Sequence, residues 1–392
     1  MKQLADYVNP YIGTISHMLT STKPEVMLPY GMARSTPIVR DCGDYYCNDR
    51  ILGYPLGNAS VMPGKGGDFS NRVDHSREDF RCYRMEETLE EYGITAASTV
   101  TEHVYLHRFA GADALRFRFP NGEARVSGQE IRVRIKMEHP KYEVNQYVLI
   151  ALTGCGEVLR AEGEELVVRA SENAEVRGAV PFISFDKAAE SMALEAEGKS
   201  FDDVSAAAKE IWNEQLGKAK VEGNTEDKKT VYYTALFRSF MRMTNYTEHG
   251  QYFSAYDGKV HDGVFYTGDG LWDTFRCMHP LQLLVDGKRH REILESYNLM
   301  YRQSGLMPSF PAFEGDRPVM IGFHAASLFA DAAAKGVEAD YETAYEGIRK
   351  NAMEESMFPW CCGKPLEAPD RCYQENGFFP ALAKGEEETC ES

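Results

Sequence analysis

The sequence contains no run of about 18 apolar residues, so no transmembrane helix is expected. The opening stretch MKQLADYVNPYIGT lacks the apolar core and the small-residue cleavage pattern of a signal peptide. Nine cysteines are an odd number in a chain without an export signal, which favours reduced thiols over a disulfide framework. These features together predict a cytoplasmic protein with no membrane partner.

Several functional motifs are also missing. The sequence has no G-x-S-x-G elbow, P-loop, G-x-G-x-x-G turn after a strand, or H-E-x-x-H pair, which argues against acyl hydrolases, kinases, dinucleotide enzymes and zinc proteases. Neither Cys42 with Cys47 nor the adjacent Cys361 and Cys362 has a second Cys or His pair at zinc spacing, so we interpret them as structural or incidental thiols. The net charge of −17 argues against nucleic acid as a partner.

Residues 1–197 have the pattern of a β-rich domain. Short alternating segments such as ALRFRFP (114–120), QEIRVRIKME (129–138) and ELVVRA (165–170) lie between turns marked by Gly, Pro and Asn. Many short strands separated by such turns are typical of an antiparallel β-sandwich. The pattern changes near Gly198, where an amphipathic helical segment and a charged bend over residues 198–226 predict a helical linker.

Residues 227–392 are predicted to form a helical domain. Apolar periodicity indicates helices at about 227–246, 272–287, 289–304, 321–336 and 338–353. Paired helices with long connections favour an α/α toroid or bundle. Five helices would leave a toroid of about twelve incomplete. The fold class is therefore predicted as α+β and multidomain, with a β-sandwich followed by an incomplete (α/α)6 barrel.

The segment from Phe265 to His324 combines Trp, carboxylate, Arg and His side chains within otherwise apolar sequence. Trp272 opens a predicted helix, and Asp273 and Arg276 follow at a spacing that places them on one face. An aromatic plate beside a carboxylate suits a sugar-binding site. The alternative interpretation is an Asp near the helix N-terminus, an Asp–Arg pair and a core Trp.

A second candidate lies in the loop before the next predicted helix. Glu314, Asp316 and Arg317 occupy a loop bounded by prolines, and loops held by rigid elements often carry catalytic groups. A carboxylic acid kept protonated by its surroundings is the general acid of glycoside hydrolysis, whereas Arg317 could hold either carboxylate ionised. A solvated acidic turn remains the alternative. His324 follows in the helix, where a core or capping role is the alternative.

These motifs resemble glycoside hydrolase family 92, the calcium-dependent inverting exo-α-mannosidases. The resemblance rests chiefly on YYTALFRSFM (232–241), LWDTFRCMHPL (271–281) and MIGFHAASLFADAAAKG (320–336), and it extends over most of the chain. It implies a β-sandwich followed by an (α/α)6 barrel, hydrolysis of terminal α-linked mannose, an α-mannoside as ligand, and Ca2+ as cofactor. The resemblance assigns no calcium ligands to residues of this sequence.

The resemblance also implies roles for the candidate residues. Counting back from His324, Asp316 occupies the position of the family's general acid, which is usually Glu, and Glu314 lies two residues earlier. Asp316 serves as the acid, or Glu314 replaces it, or proton donation is lost. The same resemblance places Trp272, Asp273, Arg276 and His324 at the sugar, with Arg317 orienting the acid.

The family continues beyond the point that resembles Ser392, and its paired Asp motif, the general base, belongs to that later part. An inverting enzyme needs a second carboxylate about 6.5–9.5 Å from the acid. We therefore expect a C-terminally truncated member with little or no hydrolysis by this chain alone. The alternatives are a non-catalytic carbohydrate-binding protein and a gene fragment without independent function.

Overall fold

The computed structural model describes residues 2–15, 21–39, 48–139, 141–223, 225–317, 323–356, 364–365 and 374–378. The two cysteine pairs discussed above and residues 321–322 of the predicted helix at 321–336 lie outside these ranges. The chain forms two compact units. Unit 1 comprises Met1–Thr244 and Glu248–Phe253, and unit 2 comprises Asn245–Thr247 and Ser254–Ser392.

Unit 1 is built mainly from antiparallel strands. In chain order these are β1 Val26–Met27, β2 Arg34–Ser35, β3 Ile38–Val39, β4 Arg50–Leu56, β5 Ala59–Gly64, β6 Asn71–Arg72, β7 Asp79–Arg81, β8 Arg84–Leu89, β9 Ile94–Val100, β10 Val104–Ala110, β11 Ala114–Arg118, β12 Gly122–Ser127, β13 Glu130–Met137, β14 Val144–Glu162 and β15 Glu165–Ala179.

The described strands β3 to β15 belong to one continuous hydrogen-bonded sheet. Its main path runs β3-β4-β5-β11-β15-β10-β9-β8-β7, while β12, β13 and β14 form a branch that joins at β15. The long strand β15 makes this branch possible, because it pairs with β11, β10 and β14. The predicted antiparallel β domain is confirmed, and its layers are parts of one curled sheet, shaped like a half-barrel, that encloses a common core.

The strands form where the sequence alternates. In β13, Ile131, Val133 and Ile135 are buried, whereas Arg132 and Arg134 between them are exposed. Successive side chains on a strand point to opposite faces, so this alternation buries one face and leaves the other in water. Residues from both ends of the sheet path, including Phe80 and Ile51, share the core with β13.

Helices α1 Phe185–Ser191, α2 Phe201–Leu216 and α3 Glu226–Ser239 complete unit 1. Helix α2, predicted as part of a linker, is integrated into the unit, because Trp212 is fully buried and its Nε1 donates to the Met27 carbonyl at 2.6 Å. Helix α3 also belongs to unit 1, since the Phe237 ring lies 4.8 Å from the Trp212 ring. The division between the units therefore falls near Thr244, later than the predicted start of the helical domain at residue 227.

The remaining elements follow Ser239, and most of them lie in unit 2. They are β16 Thr244–Asn245, β17 Gln251–Ser254, β18 Lys259–Asp262, β19 Tyr266–Thr267, α4 Leu271–Val285, α5 Gly287–Ser304, β20 Pro311–Ala312, β21 Gly315–Asp316, α6 Ala325–Ala334, α7 Tyr341–Met353, β22 Glu355–Ser356 and β23 Lys364–Pro365. The helices predicted after residue 270 are confirmed to within a few residues at most ends. In the described part of the chain, no helix has the length and apolarity needed to cross a membrane.

Candidate functional site

Asp316 is fixed by its own hairpin. The register of β20 and β21 places Asp316 opposite Pro311, and the chain before β20 folds back over the carboxylate. Oδ1 accepts a hydrogen bond from the backbone N–H of Phe310 at 2.7 Å and one from the N–H of Ser309 at 3.1 Å. Oδ2 makes longer contacts, 3.1 Å to the same Ser309 nitrogen and 3.3 Å to the Ser309 hydroxyl. The hairpin therefore holds this carboxyl group in one orientation.

The protonation of Asp316 is shifted by its surroundings. Burial raises the pKa of Asp316 to about 6, against the opposing effect of the hydrogen bonds from Ser309 and Phe310, which favour the ionised form. Removal from water disfavours the charged form of a carboxyl group. A carboxyl group with a pKa near neutrality can both give and take a proton under mild conditions. This behaviour is what a general acid requires.

Glu314 and Arg317 form an ion pair on the outside of the same hairpin. Nε of Arg317 donates to Oε1 of Glu314 at 2.9 Å, and its terminal Nη2 contacts the same oxygen. The side chain of Glu314 is 35% exposed and that of Arg317 is 55% exposed. Arg317 therefore contacts Glu314, whereas the hydrogen bonds described above for Asp316 come from backbone groups and the Ser309 hydroxyl.

The other sequence-predicted residues lie at the start of α4. Trp272 is half-buried in the first turn, and Asp273 beside it is exposed. Arg276 is also exposed, and its guanidinium carbon lies 4.8 Å from the centre of the Phe275 ring. His324 occupies the N-cap position of α6. Its ring stacks on the Phe275 ring, with the two ring centres 4.0 Å apart. Phe275 thus connects the start of α4 to His324.

A buried polar network lies directly before α4, and the sequence interpretation missed it. Asp269 is fully buried, and its carboxylate accepts hydrogen bonds from Nε2 of His279 at 2.7 Å, from the Tyr297 hydroxyl at 2.8 Å and from the Thr274 hydroxyl at 2.7 Å. Nδ1 of His279 lies 3.1 Å from Nε2 of His290. By sequence alone, the segment Gly268–Gly270 is interpreted as a turn before the helix that Trp272 opens. An acidic residue between two glycines at the end of an apolar strand was the available signal.

The charges in this network follow from burial. Burial alone would raise the pKa of Asp269, but the charge of His279 and the three hydrogen bonds bring it below the ordinary value. Burial and the nearby His279 lower the pKa of His290 to about 3. His290 is therefore neutral, and its buried Nδ1 has no hydrogen-bond partner among the described residues.

The hairpin and the turn before α4 lie against each other. The backbone N–H of Asp269 donates to the carbonyl of Pro311 at 2.9 Å, and a Cβ placed on Gly270 would lie 3.7 Å from the Phe310 ring. Asp316 accepts from Phe310 on one side of this contact, and Trp272 follows the turn on the other. The fold therefore brings the acid loop and the aromatic helix start of the sequence prediction into one region of unit 2.

The convergent group of His, Cys, Asp and Glu side chains among the described residues does not suit calcium. Among them, the group of three potential ligands that converges consists of His103, Glu195 and His249 in unit 1. Calcium takes six to eight oxygen ligands, and two of these three donors are imidazole nitrogens. This cluster therefore does not fit the calcium that the sequence resemblance implies, and no chemical step is assigned to calcium here.

Comparison with known families identifies both parts of the chain. The model of the glycosyl hydrolase family 92 N-terminal domain matches residues 7–126, and the model of the family 92 catalytic domain matches residues 187–392. The second match alone covers more than half of the chain. Comparison with curated protein sequences found no match.

Solved structures share the fold. A family GH92 inverting mannosidase from Bacteroides thetaiotaomicron superposes with a TM-score of 0.87 at 23% identity, covering 96% of this chain and 59% of its own. A GH92 α-mannosidase from the same organism, in complex with mannoimidazole, gives 0.79 at 22% identity, covering 90% and 56%. The chain thus spans less than two thirds of these relatives. On the evidence of the two family matches, the chain belongs to glycosyl hydrolase family 92.

Proposed function

We propose that this chain carries the proton-donating part of an inverting exo-α-mannosidase site for terminal α-linked mannose, with Asp316 as the general acid. The observation that supports this most directly is the half-buried Asp316 carboxyl group, whose pKa is raised to about 6 by loss of water around it. Below that pH the group is protonated and can give its proton to the glycosidic oxygen as the bond breaks. Glu314, the alternative acid, has its carboxylate occupied by Arg317 on the exposed side of the hairpin.

The surrounding groups suit this role. In the proposal the proton resides on Oδ2 of Asp316, because this oxygen makes the longer contacts, while the 2.7 Å bond from the Phe310 N–H anchors Oδ1. After proton transfer, the Ser309 and Phe310 donors stabilise the carboxylate that forms. The half-buried Trp272 ring would cover the apolar face of the sugar, and the exposed Asp273 and Arg276 would bind its hydroxyls.

The substrate class comes from the relatives. The solved neighbours are described as mannosidases, and one is in complex with mannoimidazole. An α-mannoside is therefore the proposed ligand, and Ca2+ remains part of the proposal by resemblance alone. If calcium takes part, treatment with a chelator abolishes hydrolysis or sugar binding, and added Ca2+ restores it. Activity that survives chelation would remove calcium from the proposal.

Paired substrates test the acid. Loss of a general acid typically costs about 10²–10⁴-fold with a poor leaving group, and far less with an activated one that departs without a proton. In a version extended to the full length of the family, Asp316→Asn should therefore impair hydrolysis of an α-mannosyl disaccharide much more than that of a dinitrophenyl α-mannoside. Glu314→Gln, a change in the same hairpin, is the matched control. Equal losses on both substrates, or a larger effect of Glu314→Gln, would contradict the assignment of Asp316.

Binding is measured alongside turnover, because the chain spans 56–60% of the solved relatives. Inversion predicts that β-mannose appears first in the NMR spectrum of the products. Saturable mannoside binding that requires Trp272 but gives no turnover would favour the alternative of a carbohydrate-binding protein. If the chain neither binds nor hydrolyses mannosides, the proposal fails.

A further inference from the structure

A separate cluster of titratable side chains lies in unit 1. His103 is in the turn between β9 and β10, Glu195 is in the helical turn Met192–Ala196, and His249 is in the segment Glu248–Phe253. Nδ1 of His103 lies 2.5 Å from Oε1 of Glu195, and Nε2 of His249 lies 3.5 Å from the same oxygen. The three potential ligand atoms all lie within 4.8 Å of one another. Three distant parts of the chain therefore direct ligand-type atoms to one point.

The carboxylate of Glu195 is oriented by a second set of contacts. Its Oε2 accepts hydrogen bonds from the backbone N–H of His103 at 3.0 Å and from the Thr101 hydroxyl at 2.5 Å. These bonds fix Oε2 and direct Oε1 towards the two imidazoles. Outer hydrogen bonds of this kind orient the ligands of metal sites and are part of their construction.

The cluster is shielded from water. The side chains of His103, Glu195 and His249 are 3%, 14% and 18% exposed. The segment that carries His249 is anchored by its neighbour Glu248, whose carboxylate accepts from the backbone N–H groups of Phe182 and Ile183 at 2.6 and 3.2 Å. Bulk water therefore competes weakly for any ion held here.

The backbone of His249 is also unusual. Its φ is +50°, in the left-handed region that residues other than Gly adopt uncommonly, with Asn, Asp and His found there more often than the rest. A residue keeps such a conformation where the surrounding structure requires it, often at a functional site. Here that conformation accompanies the placement of the imidazole beside Glu195.

We propose that His103, Glu195 and His249 bind one divalent transition-metal ion, with Zn2+ as the best fit. Two imidazole nitrogens and one carboxylate oxygen form a donor set that suits Zn2+ and excludes Ca2+ as the preferred ion. Tetrahedral zinc with bonds of about 2.0–2.2 Å separates its ligand atoms by roughly 3.3 Å. The 3.5 Å separation of His249 from Glu195 already meets this requirement.

The His103 contact changes on binding. At 2.5 Å it has the length of a hydrogen bond, so the pair must open by roughly 0.8 Å to admit zinc. The ion takes the place of the shared proton, which leaves to the solvent. The Ser191 hydroxyl, now 2.9 Å from Nε2 of His249, gives up this contact because the nitrogen lone pair is used by the metal. A bound ion would join three segments of unit 1, so the unfolding temperature should rise with free zinc.

The test uses the purified chain after chelation. Isothermal titration should show one Zn2+ per chain and much weaker binding of Ca2+. Glu195→Gln and His249→Asn should each weaken zinc binding at least about tenfold. Asn accepts the left-handed backbone at position 249, so this variant removes the ligand without adding strain. His261→Ala is the matched control, because His261 also contacts a carboxylate, that of Asp257 at 3.0 Å, and should leave zinc affinity unchanged.

Cobalt distinguishes this site from the cysteines of the chain. Co2+ bound by imidazole and carboxylate lacks the thiolate charge-transfer band that cysteine ligation produces. Circular dichroism confirms that each variant is folded before its affinity is compared. The proposal is overturned if zinc does not bind, if both variants bind it as tightly as the natural chain, or if the cobalt spectrum shows thiolate ligation.

Discussion

Replacing Asp316 by Asn tests whether a buried carboxyl group with a raised pKa lies in the hairpin. The folded-state pKa is about 6, against an ordinary value of 3.8, because burial opposes ionisation. The folded protein therefore holds a proton on Asp316 at pH values where the unfolded chain has lost it. This contribution to stability is fully present below about pH 4 and is lost as the pH rises through about 6. The amide side chain of the Asp316→Asn variant has no proton to lose in this range.

The magnitude follows from the two pKa values. At about 1.4 kcal/mol per pH unit, the interval from 3.8 to about 6 corresponds to about 3 kcal/mol. The side chain is half-buried, so solvent screens part of this free energy. We expect the stability of Asp316→Asn relative to the natural chain to improve by about 1–3 kcal/mol between about pH 4 and about pH 7.5. Other ionisable groups contribute equally to the stability of both proteins, so their effect cancels when the two free energies of unfolding are subtracted.

Urea unfolding of both proteins at the two pH values measures this quantity. Glu314→Gln is the control, since it removes an exposed ion pair from the same hairpin, and such pairs contribute about 0–1 kcal/mol. A difference that does not change with pH would show that burial does not control the Asp316 carboxyl group. A change of opposite sign would mean that the Ser309 and Phe310 donors dominate and lower the pKa, which would also remove the main support for the general acid.

Three further substitutions test interactions within each of the two units. Asp269→Ala leaves the buried His279 and Tyr297 donors without their acceptor and should destabilise unit 2 by about 3–5 kcal/mol in urea unfolding, whereas a cost below about 1 kcal/mol would refute the network. Trp212→Phe removes the bond to the buried Met27 carbonyl and part of the ring volume, so a loss of about 2–4 kcal/mol is expected from thermal unfolding. Ser200→Ala breaks the capping box that Ser200 forms with Asp203 and should cost about 1 kcal/mol, with Ser200→Gly costing less.

The sequence by itself determined the local elements and the family. The alternation in residues 129–138 predicted a strand because only one face of that segment can be buried, and β13 occupies Glu130–Met137. The helical pattern after Gly270 likewise predicted α4 and α5, since apolar residues recur at the helical period. Extended motifs such as LWDTFRCMHPL carried the family assignment, because many positions must agree at once.

Only the tertiary structure decided where the polar groups are buried and what they contact. Asp316 and Glu314 are two residues apart in an acidic loop, yet the hairpin bonds the first to the backbone of Phe310 and pairs the second with Arg317. By sequence, Asp269 belongs to a turn. In the folded chain, His279 of α4 and Tyr297 of α5 both donate hydrogen bonds to its buried carboxylate. No local sequence pattern predicts the convergence of His103, Glu195 and His249, because the three residues come from distant parts of the chain. Both a pKa shift and a candidate metal site depend on neighbours that only the folded chain brings together.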